Sequence, residues 1–114
     1  MELRKAWCAA TAHPSYQKNW TKDSPSYGQC CVTALVIQDE YGGDIYSCKV
    51  GNNSHFVNII DERIIDKTAE QFGGTDKIKY VNGSFRKRSR ESLLKNKDIK
   101  QRYELLKTRL KEEN

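Results

Sequence analysis

Apolar and polar positions alternate differently in successive parts of the chain, and each pattern predicts a different element. Leu3, Ala6, Trp7 and Ala10 repeat at helical spacing, which predicts a helix over residues 2–12 with one buried face. His13-Pro14-Ser15 closes it, because the residue before a proline is pushed out of the helical region. Residues 14–28 are rich in Ser, Pro, Asn and Tyr and read as a loop ending at Gly28. Gln29 to Glu40 is helical again. Val32, Ala34, Leu35, Val36 and Ile37 make it apolar on more than one face, as expected of a helix buried at the centre of a domain. Gly42-Gly43 stops it.

The period then changes. Residues 44–50 (DIYSCKV), 55–61 (HFVNIID) and 63–68 (RIIDKT) are strand-like, with turns at 51–53 and near Asp61-Glu62. Tyr80-Val81, before Asn82-Gly83, predicts a short fourth strand, and 68–72 a brief helical turn. Residues 89–96 predict a short helix and 97–113 a longer one. Ile99, Tyr103, Leu106 and Leu110 form one stripe on the longer helix, placed to pack on the body or on a second copy. The order of elements is that of an α+β domain: a buried central helix packed on a small antiparallel sheet, with C-terminal helices.

Length and charge refine this picture. The 114 residues fit one domain, 1–114. Residues 76–114 carry 13 basic and 6 acidic residues, whereas residues 1–75 carry 7 basic and 9 acidic. The basic excess therefore belongs to the helical tail and not to the 1–75 core. The run RKRSR (86–90) invites a nucleic-acid reading, but no aromatic-interleaved platform accompanies it, and a solvated surface leading into a helix is the favoured reading. No apolar run approaches the ~18 residues needed to cross a membrane, and the N-terminal stretch lacks the uninterrupted apolar segment of a signal peptide. A cytoplasmic protein is expected.

The candidate chemistry lies in YGQCCVTAL (27–35). Four cysteines, Cys8, Cys30, Cys31 and Cys48, are present without secretory context, and adjacent cysteines do not suit ordinary disulfide geometry. There is no CxxC and no second Cys/His pair at ligand spacing, so no metal and no organic cofactor is expected. Cys30 falls in the first turn of its helix, where free N–H groups and the helix dipole favour a thiolate. Only two histidines occur. His13 sits at a helix end, whereas His55 lies on a predicted strand, and Asp66 lies on the next one, where antiparallel pairing would bring it to His55. Cys30, His55 and Asp66 thus form a candidate nucleophile, base and orienting group. The competing structural readings are a small buried hydrophobe for Cys30, a satisfied core histidine for His55 and a turn or cap for Asp66. Cys8, Cys31 and Cys48 lie in apolar patterns and read as packing. Asn58 is a rival orienter or a substrate contact. Gln29, Trp20 and Tyr27 are expected to line the pocket, with the Cys30 backbone N–H as oxyanion donor.

The segments GQCCVTALVIQDEYGG (28–43), SHFVN (54–58) and IDKTAEQF (65–72) resemble the YunG family of small bacterial proteins. That family carries Gly-Gln-Cys before a Val-Thr-Ala-Leu helix, a His-aromatic-x-Asn strand and an Asp-x-Thr…Gln-Phe segment. Trp20-Thr21 and Pro25 fit its lead-in, and the C-terminal segments resemble its Arg-rich helical tail. The chain departs from the pattern in several places. Cys31 stands where a small residue is usual, Val57 where Trp is common, and Lys67 where leucine is commoner. A turn glycine is missing near Asp61-Glu62. The Cys…His…Asp order is similar to that of papain-like and NlpC-type cysteine peptidases. It implies a compact papain-like core and a cysteine hydrolase or acyl-transferase acting on an amide, peptide or thioester. The alternative is a non-catalytic papain-like module that binds a peptide or small metabolite.

Overall fold

The computed structural model describes residues 1–113, so residue 114 of the expected domain lies outside the described residues. The helix expected over 2–12 is not continuous. One turn, α1 (Leu3–Ala6), is followed by extended backbone at Trp7 and Cys8 and a 3-10 turn at Ala9–Thr11. Side chains explain the break. The Trp7 indole N–H donates to buried Thr33 Oγ1 at 2.9 Å. Thr11 Oγ1 accepts from Cys8 N at 3.0 Å and donates to Gln29 Oε1 at 2.8 Å. Thr11 Oγ1 thus takes the Cys8 N–H that a continuous helix would give to the Arg4 carbonyl, and such local side-chain bonds compete with helix. The stretch expected as loop contains a further 3-10 segment, Pro14–Asn19.

The second helix, α2 (Cys30–Tyr41), matches its expected span and is buried from Cys31 through Ile37. Its apolar residues lie on all sides because α4 packs on one side and the sheet on another. It ends at Gly42, whose φ of 75° lets the chain reverse into the sheet. Strands β1 (Asp44–Val50), β2 (Asn53–Ile60), β3 (Arg63–Ile65) and β4 (Arg86–Arg88) form one antiparallel sheet in the order β3-β2-β1-β4.

Two details depart from the sequence reading. The third strand stops at Ile65, because Asp66 leaves the ladder to accept from Thr68. Tyr80 makes only an isolated bridge to Val50, and the fourth strand is instead the basic stretch 86–88. This edge strand is charged and exposed, a pattern that discourages edge-to-edge pairing with another chain. The run also has partners within the chain. Lys87 lies 3.5 Å from Asp44, Arg88 covers the Phe56 ring, and Arg90 bonds Gln38 and Tyr103.

Two helices complete the fold: α3 (Arg90–Leu94), capped by Ser89, and α4 (Lys97–Glu113). Tyr103, Leu106 and Leu110 are buried in the same cluster as Val32, Leu35 and Ile45, with Ile99 packed against it. The α4 stripe is therefore core of its own chain. Arg102 and Arg109 reach across to the Thr11 and Ala6 carbonyls and bind the N-terminal segment to α4.

Candidate active site

The loop before α2 sets the position of Cys30. Gly28 has φ 74°, and a Cβ there would stand 2.8 Å from the Tyr16 ring, so glycine is required by both backbone and space. Its close neighbour is thus the Tyr16 ring. The Gly28 carbonyl accepts from His13 N at 2.8 Å and its N–H donates to Gln71 Oε1 at 3.2 Å. Cys30 follows as the first residue of α2 and is half-buried, while Cys31 points into the core.

His55 lies on β2 opposite Cys48 of β1. Its side chain is 1% exposed, and Nε2 is 2.7 Å from Oδ2 of Asp66, whose side chain is 3% exposed. A carboxylate only accepts, so Nε2 carries the proton. Asp66 is itself held on every side. Thr68 donates to Oδ1 through its N–H at 3.2 Å and its hydroxyl at 3.3 Å, and the Tyr80 hydroxyl donates to Oδ2 at 2.7 Å. Phe72 packs edge-on against the His55 ring at 5.0 Å.

The remaining ring nitrogen, Nδ1, is sealed from solvent and has no partner at ordinary hydrogen-bonding geometry. Burial pushes the His55 imidazolium down, but the Asp66 hydrogen bond and the neighbouring Cys30 thiol outweigh burial and raise its pKa from 6.5 to about 9. Since Asp66 occupies Nε2, Nδ1 is the ring nitrogen left without a partner. Cys30 and His55 also border one cavity of about 400 Å³, with Tyr16, Tyr27, Gln71 and Phe72. A second cavity, of about 260 Å³, also borders Cys30, with Tyr16, Phe56 and Arg102. A cavity of about 560 Å³ lies elsewhere, between Ile37, Tyr41, Ile60 and Ile65.

The other thiols are in different surroundings. Burial first, and Cys30 next, push Cys31 up to about 12. Burial, then Asp66 and Cys30, push Cys48 up to about 11. Both remain protonated near neutral pH. All four cysteines are free. Among the described residues, no group of three or more His, Cys, Asp or Glu is placed to hold a metal ion.

The structure brings Cys30, His55, Asp66 and Tyr27 together but not the other expected contacts. Gln29 is fully buried; its oxygen accepts from Thr11 and its NH₂ donates to the Cys8 carbonyl at 2.9 Å. Trp20 faces a separate cavity with Lys22 and Pro25, and its indole N–H donates to the Pro25 carbonyl. Asn58 is buried and donates to the Ala34 carbonyl at 2.9 Å, joining β2 to α2. These three amide and indole groups fasten the frame around the site. Thr68, Gln71 and Phe72 were present in the IDKTAEQF segment, but their contacts with Asp66, Gly28 and His55 depend on the turn that the segment forms. Nothing in the sequence marked Tyr80.

A family model described as YunG protein matches residues 1–114. The chain is 40% identical over 82 residues to "Uncharacterized protein YunG" of Bacillus subtilis (strain 168), covering 72% of this chain and 67% of that protein. No solved structure matches.

Proposed function

The chain belongs to the YunG family, and from that premise we propose that it is a cysteine hydrolase or acyl-transferase with a papain-like core, acting on an amide, peptide or thioester. The observation that carries this reading is the state of His55. Its Nε2 is fixed by a buried carboxylate at 2.7 Å, while its other nitrogen is unpartnered beside the cavity that Cys30 also borders. The order of helix-borne Cys30, strand-borne His55 and Asp66 just past the next strand supports the papain-like comparison. No helix among the described residues is long and apolar enough to cross a membrane. Free thiols suit a reducing compartment, and the cytoplasm is the proposed setting.

In this reading His55 Nδ1 takes the Cys30 thiol proton and Asp66 stabilises the imidazolium. The thiolate attacks the substrate carbonyl carbon, a C–S bond forms, and the carbonyl oxygen becomes an oxyanion. Collapse breaks the bond to the leaving group, which receives the proton from Nδ1. Water or an acceptor nucleophile then attacks the thioester and releases the thiol. Cys31 and Cys48 play no part, because both thiols are buried and held protonated.

A second reading is a binding module for a peptide or small metabolite. The observation favouring it is the enclosure of the His55 side chain, which leaves a small cavity in place of an open groove. Exposure to p-nitrophenyl acetate separates the two. A hydrolase acquires an acetyl group on Cys30 and then releases more than one equivalent of nitrophenolate per chain, and Cys30→Ala abolishes both. Release that is unaffected by Cys30→Ala, or acylation elsewhere without turnover, would leave only the binding reading.

A further inference from the structure

Three buried side-chain polar atoms among the described residues have no hydrogen-bond partner: Ser26 Oγ, His55 Nδ1 and Gln71 Nε2. Two of them belong to residues that border the cavity at Cys30. The Gln71 amide is not free to turn over. Its oxygen accepts the Gly28 N–H at 3.2 Å, so the NH₂ is the end left without a partner. Gln71 lies in the 3-10 turn Ala69–Phe72. That turn begins just after Thr68, which holds Asp66, and ends at Phe72, which packs on His55. Its anchor, Gly28, is two residues before Cys30. One short turn therefore ties the loop before the thiol to the groups that hold its base.

A buried NH₂ without an acceptor is rare in native proteins and calls for a partner that the resting chain does not itself contain. An oxyanion beside Cys30 is such a partner. The Cys30 N–H, at the first position of α2, also has no acceptor within its helix. We propose that Gln71 Nε2, with the Cys30 N–H, donates to the oxyanion formed when Cys30 attacks an acyl substrate, an assignment that rests on the hydrolase reading above. Gln29, the amide adjacent to the thiol in sequence, is excluded from this role, because both ends of its side chain are engaged by Thr11 and Cys8.

Two reagents isolate the role. p-Nitrophenyl acetate acylates a thiolate through a tetrahedral oxyanion and expels nitrophenolate. Iodoacetamide alkylates it by displacing iodide at a methylene carbon, with no oxyanion. Both rates are followed at Cys30 by mass spectrometry in the wild type, Gln71→Ala and Gln71→Glu. Gln71→Glu keeps an oxygen toward the Gly28 N–H while removing the donor. The ratio of acylation to alkylation rate is expected to fall by about 10²- to 10³-fold in both variants, the usual effect of losing one oxyanion donor. Rates that fall together would make Gln71 a structural support only, and an unchanged ratio would also overturn the assignment. A wild-type Cys30 that reacts with neither reagent faster than Cys8 would remove the hydrolase reading itself, and this assignment with it.

Discussion

Replacing Asp66 with asparagine preserves the shape of the residue and removes the charge that holds His55. In the wild type, burial opposes the imidazolium, and the Asp66 hydrogen bond together with Cys30 more than offsets it, giving a pKa of about 9 against an ordinary 6.5. The variant keeps the burial and loses the carboxylate, so the His55 midpoint should drop by about 1–3 units. Each unit corresponds to roughly 1.4 kcal/mol, so the elevated pKa represents on the order of 3 kcal/mol of folding stability. Because the folded-state value is raised, that contribution is fully present below 6.5 and is lost as pH rises through about 9. Histidine C2–H proton resonances followed against pH give the midpoint directly. With only two histidines, a His13→Asn variant assigns both. Urea unfolding at each end of the window gives the stability difference. The wild type should lose stability between the two pH values, and Asp66→Asn should show little of this loss. A wild-type His55 midpoint at or below 6.5, or equal midpoints in both proteins, would refute the reasoning.

Three further substitutions probe the frame of the site and of the fold. Tyr80→Phe removes the hydroxyl that donates to Asp66 at 2.7 Å; hydrogen bonds to charged groups support a loss of about 2 kcal/mol in urea unfolding. A change within measurement error would show that solvent replaces the hydroxyl. Glu62→Gly relieves a two-residue β2–β3 turn in which Asp61 and Glu62 have φ of 50° and 67°, and should stabilise the chain by about 1 kcal/mol, read as a higher urea midpoint with unchanged slope. Leu106→Ala should cost about 2–5 kcal/mol, because Leu106 is fully buried where α4 meets α2; a loss under about 1 kcal/mol would contradict the packing of the C-terminal helix on the body.

The parts of the fold that were legible in the sequence are those where packing and local pattern agree. The α2 helix is surrounded by core, so it is apolar throughout and its limits are marked by Gly28 and Gly42. β1 and β2 carry their residues at strand period, and α4 carries its stripe. The N-terminal helix failed because Trp7 and Thr11 are anchored by tertiary hydrogen bonds to Thr33 and Gln29 that spacing cannot register. β4 was missed because a charged, exposed edge strand has no apolar alternation, and its pairing depends on the partner β1.

The site divides along similar lines. Cys30, His55 and Asp66 were suggested by residue type and placement on successive elements; His55 is bonded to Asp66 and borders one cavity with Cys30. Gln29 and Asn58 have the right chemistry beside the right residues, but their side chains turn into the core and secure it. Gln71 and Tyr80 come into place through a turn and a bridge whose geometry exists only in the folded chain.

The pairing of Cys30 with His55 is tested most directly by the pH dependence of Cys30 alkylation. An ordinary cysteine, with a pKa near ~8.5, is almost unreactive toward iodoacetamide at about pH 6. A thiolate held beside the His55 imidazolium should react there, in the wild type, at a rate well above that of Cys8. His55→Ala should return Cys30 to the slow, steeply pH-dependent profile of an ordinary thiol. Equal Cys30 rates in wild type and His55→Ala across the acid range would contradict the account.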